Sequence, residues 1–278
     1  MYKSCDNIGC ISQLTRSFVE TINPNSLNQL IPHGVNTDIF FKQDSETITT
    51  NRKLLLGKNY DFVLLCNNAN IPRKQFGLLI QGFTQFYNQL SISEKSGVCL
   101  LIHTNVKSAR GFNLNKLLDD LYPDIPILIS DGKVSEKTLN NIYNLSHCTI
   151  NVASNEGFGL TTLESVATQT PVIMSYTGGL KDQYHKKWCE KIKPDIRLIM
   201  GSQKTPYIYS DICSPDSISK SISKMYNRID NISMSDVDKF LDKKEFTSNK
   251  MCESLSKEIE ITISNFRKKE PYRFTKIL

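Results

Sequence analysis

The stretch CTINVASNEGFGLTTLE, residues 148–164, joins a short apolar run to a helix-compatible segment through a loop that contains two glycines. The run CTINV predicts a strand, so the loop after it is predicted to lead from a strand into a helix. Glycines let a ligand approach the backbone, and the first N–H groups of a helix are unpaired and attract anions. A nucleoside diphosphate would suit such a turn. Glu156 and Glu164, which bracket the glycines, would then bind a neutral hydroxylated group such as a ribose or a hexose.

Four further apolar runs lie at residues 61–66 (DFVLLC), 98–103 (VCLLIH), 125–129 (IPILI) and 171–175 (PVIMS). Strands that are apolar on both faces are typical of buried parallel sheets. The segments between the runs carry apolar residues at helical spacing, as in Leu79, Phe83, Phe86 and Leu90. Strands that alternate with helices predict an α/β fold, a Rossmann-like doubly wound parallel sheet.

The segment that precedes this sheet divides into two parts. Residues 1–30 predict a short strand and a helix. Residues 31–60 are interpreted as a linker that leads into the sheet, because Pro32 and Gly34 interrupt any regular element.

The predicted sheet domain covers residues 61–230, and residues 231–278 predict a C-terminal helical segment. Amphipathic spacing predicts helices at residues 217–229 and 250–266. The polar residues 231–249 leave two alternatives open, a loop or a frayed helix.

Composition limits the class of protein. The 278 residues are 39% hydrophobic and 22% charged, which is typical of soluble globular proteins. The net charge of +6 favours acidic ligands, but no run of five basic residues occurs, so a nucleic acid is not an expected partner, and a membrane surface stays open without support from the sequence. Eight cysteines without a C-x-x-C pair do not predict a zinc site. The N-terminus lacks the apolar core of a signal peptide, so a reducing, cytoplasmic setting is expected.

The turns after the predicted strands carry residues that suit a ligand site. Arg73 and Lys74 follow the first run, SDGKV at residues 130–134 follows the third, and YTGGLKD at residues 176–182 follows the fifth. In an open α/β sheet, ligands bind outside the carboxyl ends of the strands. These turns and the loop at residues 153–159 would therefore converge on one edge of the sheet.

Charge indicates how these turns would share a nucleoside diphosphate. Arg73 can bind the diphosphate bidentately, while Lys74 acts as a compact point charge. The N–H groups near Leu160 and Thr161 would add the dipole of a helix N-terminus. Glu164 can accept hydrogen bonds from the vicinal hydroxyls of ribose. Glu156, the other acid of the motif, lies nearer the loop and suits the hydroxyls of a second sugar.

EGFGLTTLE, residues 156–164, resembles the E-x7-E signature of retaining family-4 glycosyltransferases, which belong to glycosyltransferase group 1 and have the GT-B fold. IPHGVNTDIF at residues 31–40 resembles the inter-domain linker of that family, and PRKQFGLLIQGF at residues 72–83 resembles its phosphate-binding loop and helix. TPVIMSYTGG at residues 170–179 resembles the next strand and turn. The resemblance extends over residues 5–230 and corresponds to the C-terminal, nucleotide-sugar-binding half of the family.

The resemblance implies a role for each candidate residue. Lys74 and Arg73 would hold the diphosphate of the donor and Glu156 would face its sugar, and these three form the implied catalytic set. The implied substrate-binding set is Glu164, Gly157, Phe158, Gly159, Leu160, Thr161, Asn68, Ser130 and Val134. Within that set, Glu164 would bind the ribose, and the turn at residues 130–134 would line the base. No metal and no cofactor is implied beyond the donor itself, because the cations take the place of a metal.

Two features depart from the pattern of the family. Many members place an arginine about five or six residues before the lysine of the phosphate-binding loop. This chain has Asn68 and Ala69 there, which leaves Arg73 to supply the second positive charge. Members also have a first domain that holds the acceptor, and residues 1–30 resemble a remnant of that domain, its last strand and helix.

The resemblance implies a hexosyltransferase-type enzyme that transfers a sugar from a nucleoside diphosphate sugar to a hydroxyl acceptor with retention of configuration. Two alternatives stay open. In the first, the chain is inactive alone, either as a non-catalytic nucleotide-sugar-binding module or as half of a split enzyme whose partner chain carries the acceptor domain. In the second, it is a relative that epimerises the sugar. Simpler interpretations also stay open: Arg73 and Lys74 as the solvated start of a helix, and Gly178 and Gly179 as a tight turn.

Overall fold

The computed structural model describes residues 2–203 and 207–264. Its strands are β1 (Asn7–Cys10), β2 (Leu27–Leu30), β3 (Phe62–Asn67), β4 (Val98–Thr104), β5 (Ile127–Asp131), β6 (Cys148–Asn151), β7 (Val172–Ser175), β8 (Cys189–Ile192), β9 (Ile196–Met200) and β10 (Ile208–Ile212). Its α-helices are α1 (Gln13–Ile22), α2 (Ser45–Leu56), α3 (Phe76–Asn88), α4 (Ile92–Lys95), α5 (Leu114–Leu121), α6 (Glu136–Leu145), α7 (Leu160–Ala167), α8 (Leu180–Gln183), α9 (Pro215–Tyr226), α10 (Val237–Lys243) and α11 (Ser248–Ser264).

A six-stranded sheet with the order β5-β4-β3-β6-β7-β8 forms the centre of the fold. Every neighbouring pair of strands in it is parallel. The chain first proceeds outward from β3 to β5, then returns to place β6 on the other side of β3. The predicted doubly wound parallel sheet is thus confirmed. The carboxyl ends of β3 and β6 flank the point where the direction of winding reverses, which is where such sheets bind ligands.

Layers of helices bury both faces of this sheet. The side chains of β3 alternate between the two cores, with Phe62 and Leu64 in one and Val63 and Leu65 in the other. Helices α3, α5 and α9 cover the first face, and α6, α7 and α10 cover the second. Burial on both faces explains why the run DFVLLC is continuously apolar rather than alternating.

A smaller unit precedes the sheet in the chain. Strands β1 and β2 pair in parallel, and α1 connects them. Asn7 Nδ2 donates a hydrogen bond to Thr262 Oγ1 at 2.7 Å, so this unit contacts α11. On α1, Leu14, Phe18 and Ile22 are each 40–58% exposed. Their spacing of four residues places them on one face of the helix.

Two segments that the sequence describes as linker or loop contain helices. Residues 31–60 include α2, which begins after an Asp44 side-chain cap, buries Ile48 and places Arg52 so that its Nε donates to the carbonyl oxygen of Leu145. The alternatives left open for residues 231–249 resolve to α10, which buries Val237 and Leu241. In α2 only Ile48 is buried, so helical periodicity is weak there. Helix α10 buries Val237, Phe240 and Leu241 at helical spacing, but its seven residues are too few for that spacing to distinguish a helix from a loop in the sequence.

Strands β2, β8, β9 and β10 have no counterpart in the sequence predictions. In β8, Glu190 and Lys191 interrupt the apolar pattern because this strand lies at the edge of the sheet. The predicted helix at residues 250–266 corresponds to α11, and its last two residues lie outside the described part of the chain, as does the rest of the C-terminal segment. Among the described helices, none has the length and apolar composition needed to cross a bilayer.

Helix α3 packs on α9 at Gly82, where an added Cβ would lie 2.5 Å from Ile218 Cγ2 and 3.0 Å from the Pro215 carbonyl oxygen. Alanine normally stabilises a helix interior relative to glycine by about 1 kcal/mol. Here we expect Gly82→Ala to lower the free energy of unfolding by about 1–3 kcal/mol, because the contact is overpacked. Urea denaturation monitored by circular dichroism measures this change.

Gly77→Ala on the same helix is the matched control. Its Cβ would meet Phe112 Cζ at 3.2 Å. That ring is 43% exposed, so a small shift of it should cost little, and we expect stability to be unchanged or slightly increased. Equal losses for Gly82→Ala and Gly77→Ala would show that helix packing at Gly82 is not the cause.

Candidate functional site

The switch point of the sheet holds an ion pair between two turns. Lys74 ends the one-turn 3₁₀ helix Pro72–Lys74, which follows β3, and Glu156 lies in the loop that follows β6. Lys74 Nζ donates to Glu156 Oε2, and the two side chains are only 8% and 11% exposed. Each of these buried charges is stabilised by the other, because an isolated charge out of water is strongly unfavourable.

Arg73 ties the same two turns together. Its Nη1 donates to the carbonyl oxygen of Asn155 at 2.9 Å and lies 3.2 Å from Glu156 Oε2. The backbone N–H of Ser154 donates in return to the carbonyl oxygen of Arg73 at 2.9 Å. The Arg73 side chain remains 45% exposed, in contrast to the buried lysine beside it. The structure therefore brings the three residues of the predicted catalytic set together.

Gln75 fixes the direction in which this turn leaves the sheet. It has φ 57° and ψ 39°, a left-handed conformation that non-glycine residues rarely adopt. Such conformations persist where the surrounding structure imposes them and are frequent at functional sites. Phe76, directly after it, is fully buried and begins α3, so the turn is held between a buried strand and a buried helix.

Helix α7 presents its N-terminus at the same edge. Gly159 precedes it with φ 96°, and no side chain caps the helix. The N–H groups of Leu160 and Thr161 have no hydrogen-bond acceptor among the described residues, whereas the N–H of Thr162 reaches back to the Gly159 carbonyl oxygen. Two unpaired donors at the positive end of a helix dipole form a suitable contact for an anion.

Gly178 and Gly179 position the loop that carries Glu156. A Cβ on Gly178 would lie 2.0 Å from the Glu156 carbonyl oxygen, and one on Gly179 would lie 2.2 Å from the Gly157 carbonyl oxygen. The N–H of Gly179 donates to the Glu156 carbonyl oxygen at 2.9 Å. These glycines are needed for close backbone packing, so a structural requirement alone explains their presence in the turn.

Glu164 ends a hydrogen-bonded chain of three side chains. Asn67 Nδ2 donates to Tyr143 Oη at 2.8 Å, and that hydroxyl donates to Glu164 Oε2 at 2.6 Å. Burial raises the pKa of Glu164 above its ordinary value, although the bond from Tyr143 acts in the opposite direction. Burial and the adjacent Glu164 charge raise the pKa of Tyr143, so its hydroxyl keeps its proton and remains a donor.

The other predicted substrate-binding residues differ in accessibility. Gly157 is exposed, and a Cβ there would meet nothing closer than Ile11 Cδ1 at 3.5 Å. Phe158 is 3% exposed and its ring packs edge-on against His33 and Phe246. A ligand at this loop would therefore meet the backbone of Phe158 and not its ring.

Asn68 and Ser130 lie at the carboxyl ends of β3 and β5. Asn68 Oδ1 is buried with no hydrogen-bond partner among the described residues, a condition that native structures seldom tolerate without a reason. Ser130 belongs to β5 rather than to the turn, which begins after Asp131, and its hydroxyl lies 3.0 Å from His103 Nδ1. Burial lowers the pKa of His103. Val134 packs against the core from the turn itself.

Sequence reasoning did not identify Asn67, Tyr143 and Asn155 as site residues. Asn67 directly follows an apolar run, and that position at a strand end is a signal that could have found it. Tyr143 reads as part of the apolar face of α6, so its hydroxyl gives no signal in the sequence. Asn155 acts through its carbonyl oxygen and through its amide, which donates to Ser210 Oγ at 3.0 Å.

Comparisons with known proteins give evidence on the fold. No family model matches the chain, and no curated protein matches it. Among solved structures, a glycosyltransferase from Rickettsia africae superposes with a TM-score of 0.73 at 15% identity, over 95% of this chain and 66% of that one. Sucrose-phosphate synthase from Thermosynechococcus elongatus gives 0.71 at 14% identity, over 95% and 60%.

HepE from Anabaena, crystallised with UDP-glucose, gives a TM-score of 0.69 at 14% identity, over 91% of this chain and 64% of that one. The chain has the fold of these glycosyltransferases. It spans 60–66% of the length of these three chains. Among the described residues, no group of three or more His, Cys, Asp or Glu side chains is arranged to hold a metal ion.

The buried ion pair at the switch point should contribute to the free energy of unfolding. We expect Lys74→Met to lower the free energy of unfolding by about 3 kcal/mol, because Glu156 then keeps only the half-exposed Arg73 as a partner. The double variant Lys74→Met, Glu156→Gln should recover at least half of that loss, since no buried carboxylate is left unpaired. Urea denaturation of the four proteins of this double-mutant cycle gives the coupling.

Lys116→Met is the control for the same substitution at an exposed pair. Lys116 Nζ lies 2.7 Å from Asp120, but the side chains are 71% and 52% exposed. Its loss should stay below about 1 kcal/mol. Additive effects of Lys74→Met and Glu156→Gln would contradict a coupled pair.

The raised pKa of Glu164 makes stability depend on pH. The folded state binds this proton more tightly than the unfolded chain does, so the stabilisation is complete below the ordinary pKa of 4.5 and is lost as pH rises through the raised value. Glutamine resembles the protonated acid. We expect the free energy of unfolding of the wild type to fall, relative to Glu164→Gln, between acidic pH and neutrality.

Denaturation curves collected from acidic to neutral pH test this linkage. Glu260→Gln, at an exposed position on α11, serves as the charge-matched control and should show no comparable pH-dependent difference. A constant difference between wild type and Glu164→Gln at every pH would rule the linkage out.

Proposed function

We propose that the chain binds a nucleoside diphosphate sugar at the switch point of its sheet and transfers the sugar to a hydroxyl acceptor with retention of configuration. The observation that carries the proposal is the meeting of Lys74, Arg73 and Glu156 beside the uncapped N-terminus of α7. HepE, which shares the fold, is crystallised with UDP-glucose, and this supports a UDP-sugar as the first donor to test.

The diphosphate is the part of the donor that these cations suit. An ammonium group has three donors, so Lys74 can contact a phosphate oxygen while it still bonds to Glu156. Arg73 is half exposed and has N–H groups beyond the one that holds Asn155, and these can face a second phosphate oxygen. The N–H groups of Leu160 and Thr161 add two neutral donors.

The acids and amides of the site suit the neutral parts of the donor. Glu164 has one carboxylate oxygen bonded to Tyr143, and the other can accept from the ribose hydroxyls. Asn68 Oδ1, buried without a partner, is an acceptor that a donor hydroxyl or base N–H would satisfy. Glu156 can accept from the hydroxyls of a hexose, and we assign Ser130 and Val134 to the base.

Electrostatic stabilisation of the leaving group accounts for the chemistry in this proposal. As the bond between the anomeric carbon and the diphosphate oxygen breaks, negative charge grows on the diphosphate. Lys74, Arg73 and the start of α7 are fixed in place before that charge develops, which is the arrangement that contributes most in many enzymes. The proposal needs no metal or further cofactor, and it assigns neither glutamate as a nucleophile. It places the reaction in the cytoplasm.

The acceptor requires a surface that the candidate site does not itself supply. Leu14, Phe18 and Ile22 on α1 form an exposed apolar face beside the two-stranded sheet of β1 and β2. Two parallel strands do not form a stable sheet alone. We assign this face to an acceptor-binding α/β domain, in a separate chain or elsewhere in the same one, and residues 1–30 to the edge of that domain.

Calorimetry with UDP-glucose, UDP and GDP-mannose tests donor binding. We expect the chain to bind at least one of these ligands, and we expect Lys74→Ala to weaken binding by about 10- to 100-fold, because a charge-assisted contact is lost. Lys58→Ala is the matched control, since Lys58 is exposed at the opposite end of β3 and donates to the Ser96 carbonyl oxygen. Its affinity should equal that of the wild type.

Turnover is measured separately from binding, by release of UDP in the presence of hydroxylated acceptors and by the anomeric configuration of the product. Binding that depends on Lys74 without any turnover would reduce the proposal to a donor-binding module that needs a second chain. Loss of binding in both Lys74→Ala and Lys58→Ala would point to general charge and not to the switch point. If none of the nucleotides binds, the proposal is wrong.

A further inference from the structure

A polar cavity lies at the edge of the central sheet, between the carboxyl end of β8 and helix α9. Its volume is about 450 Å³, within the range of roughly 300–1,000 Å³ that is usual for small-molecule sites. Strands β6, β7 and β8 are parallel neighbours, so the cavity lies beside the candidate site, at the same edge of the sheet. None of the described residues that line it belongs to the sets that the sequence predicts for the donor.

Lysine is the dominant charged residue of this cavity. Four lysines line it from β8, from the loop that follows β8 and from α9: Lys191, Lys193, Lys220 and Lys224. The acids among the described lining residues are Glu190 and Asp195, so four cations against two acids leave a formal charge of +2. Like charges that are brought together repel each other, and an anion in the cavity would relieve that repulsion.

Both acids are already bound by other groups. Glu190 Oε1 lies 3.6 Å from Lys224 Nζ. Asp195 accepts hydrogen bonds from the backbone N–H of Ser214 at 2.7 Å and from the hydroxyl of Ser217 at 2.8 Å, at the start of α9. Within the described ranges, 2–203 and 207–264, the other three lysines of the cavity form no ion pair with an acid. Their charges are therefore free for a ligand.

Lys191 and Ser221 add two observations that do not depend on net charge. Lys191 Nζ lies 4.8 Å from the centroid of the Tyr184 ring and 5.0 Å from that of Tyr176, so the two rings orient the ammonium group without neutralising it. Ser221 lines the cavity, is only 5% exposed, and has a hydroxyl without a hydrogen-bond partner among the described residues. Buried polar groups normally have partners, so this hydroxyl indicates a ligand that supplies one.

The donor set favours phosphate over carboxylate. A planar carboxylate is often bound bidentately by arginine, whereas lysine binds phosphate as a point charge. Among the described residues that line the cavity, none is an arginine. Arg228, which lies 3.5 Å from Glu190 Oε2, donates to the carbonyl oxygen of Cys189 at 3.1 Å. A phosphate monoester carries about 1.5–2 negative charges at pH 7, which matches the formal charge of the cavity.

We propose that this cavity is a second ligand site, which binds the phosphate monoester group of a small molecule. Lys191, Lys193 and Lys220 supply the positive charge, and the hydroxyl of Ser221 donates a hydrogen bond to a phosphate oxygen. Lys224 remains paired with Glu190. The inference does not depend on donor binding, because the cavity shares no residue with the candidate site.

Isothermal titration calorimetry of the 278-residue chain with ribose 5-phosphate tests the proposal. We expect ribose 5-phosphate to bind and salt to weaken its binding, whereas ribose and acetate at the same concentration should not bind. Lys193→Gln with Lys220→Gln should weaken binding by about tenfold or more, because two charge-assisted contacts are lost. Ser221→Ala should weaken binding by about three- to tenfold, because one hydrogen bond is lost. Acetate that binds as tightly as ribose 5-phosphate would overturn the assignment to phosphate.

The matched control removes two lysines elsewhere. Lys58 and Lys116 are exposed, the first ahead of β3 and the second on α5. Lys58→Gln with Lys116→Gln should bind ribose 5-phosphate like the wild type. Equal losses in the two double variants would show an effect of general charge and would overturn the assignment to the cavity.

Amide NMR gives a second readout, which locates the ligand. Ribose 5-phosphate should shift the N–H resonances of Lys193, Lys220 and Ser221 more than those at the start of α7. Shifts confined to Leu160 and Thr161 would assign the phosphate to the switch point and would overturn the second site. Absence of both heat and shifts would overturn it as well, whether or not a nucleotide sugar binds.

Discussion

The ion pair between Lys74 and Glu156 joins the turn after β3 to the loop after β6, and the geometry of the candidate site depends on it. The two strands are adjacent because the chain reverses its direction of winding between them. Both charged side chains are buried, so neither is solvated by water and each is stabilised by the other. Gly178 and Gly179 reinforce the arrangement, because they let the turn after β7 pack directly on the backbone that carries Glu156.

This pair also determines how much charge is available to an anionic ligand. Lys74, Arg73 and Glu156 together have a formal charge of +1, because the glutamate balances one of the two cations. A diphosphate carries about two negative charges, so the side chains do not neutralise it completely. The N-terminus of α7 adds a partial positive charge of about one half, which offsets about half of the charge that is left. The uncapped N–H groups of Leu160 and Thr161 are therefore part of the electrostatic balance.

The sequence predicts the sheet better than its surroundings, for a physical reason. Strand β3 is buried on both faces, so DFVLLC is unambiguous, and the motif of residues 156–164 combines backbone requirements with charge. Helix α2 and strand β9 are mostly exposed, so no apolar period marks them. In the site, the meeting of Lys74 and Glu156 at one edge of the sheet follows from the converging turns. The bond between Tyr143 and Glu164 does not, because it depends on how α6 packs against α7.

Two exposed apolar surfaces of this chain differ in their geometry. On α1, Leu14, Phe18 and Ile22 repeat every fourth residue and lie on one face, while Val19, on another side of the helix, is buried. A one-sided stripe beside a two-stranded sheet is what a folded domain covers. On the hairpin formed by β9 and β10, Ile199 and Met200 are consecutive and point to opposite faces, and both are at least half exposed. A rigid domain would have to enclose both sides of two strands to cover them, which the one-sided stripe on α1 does not require.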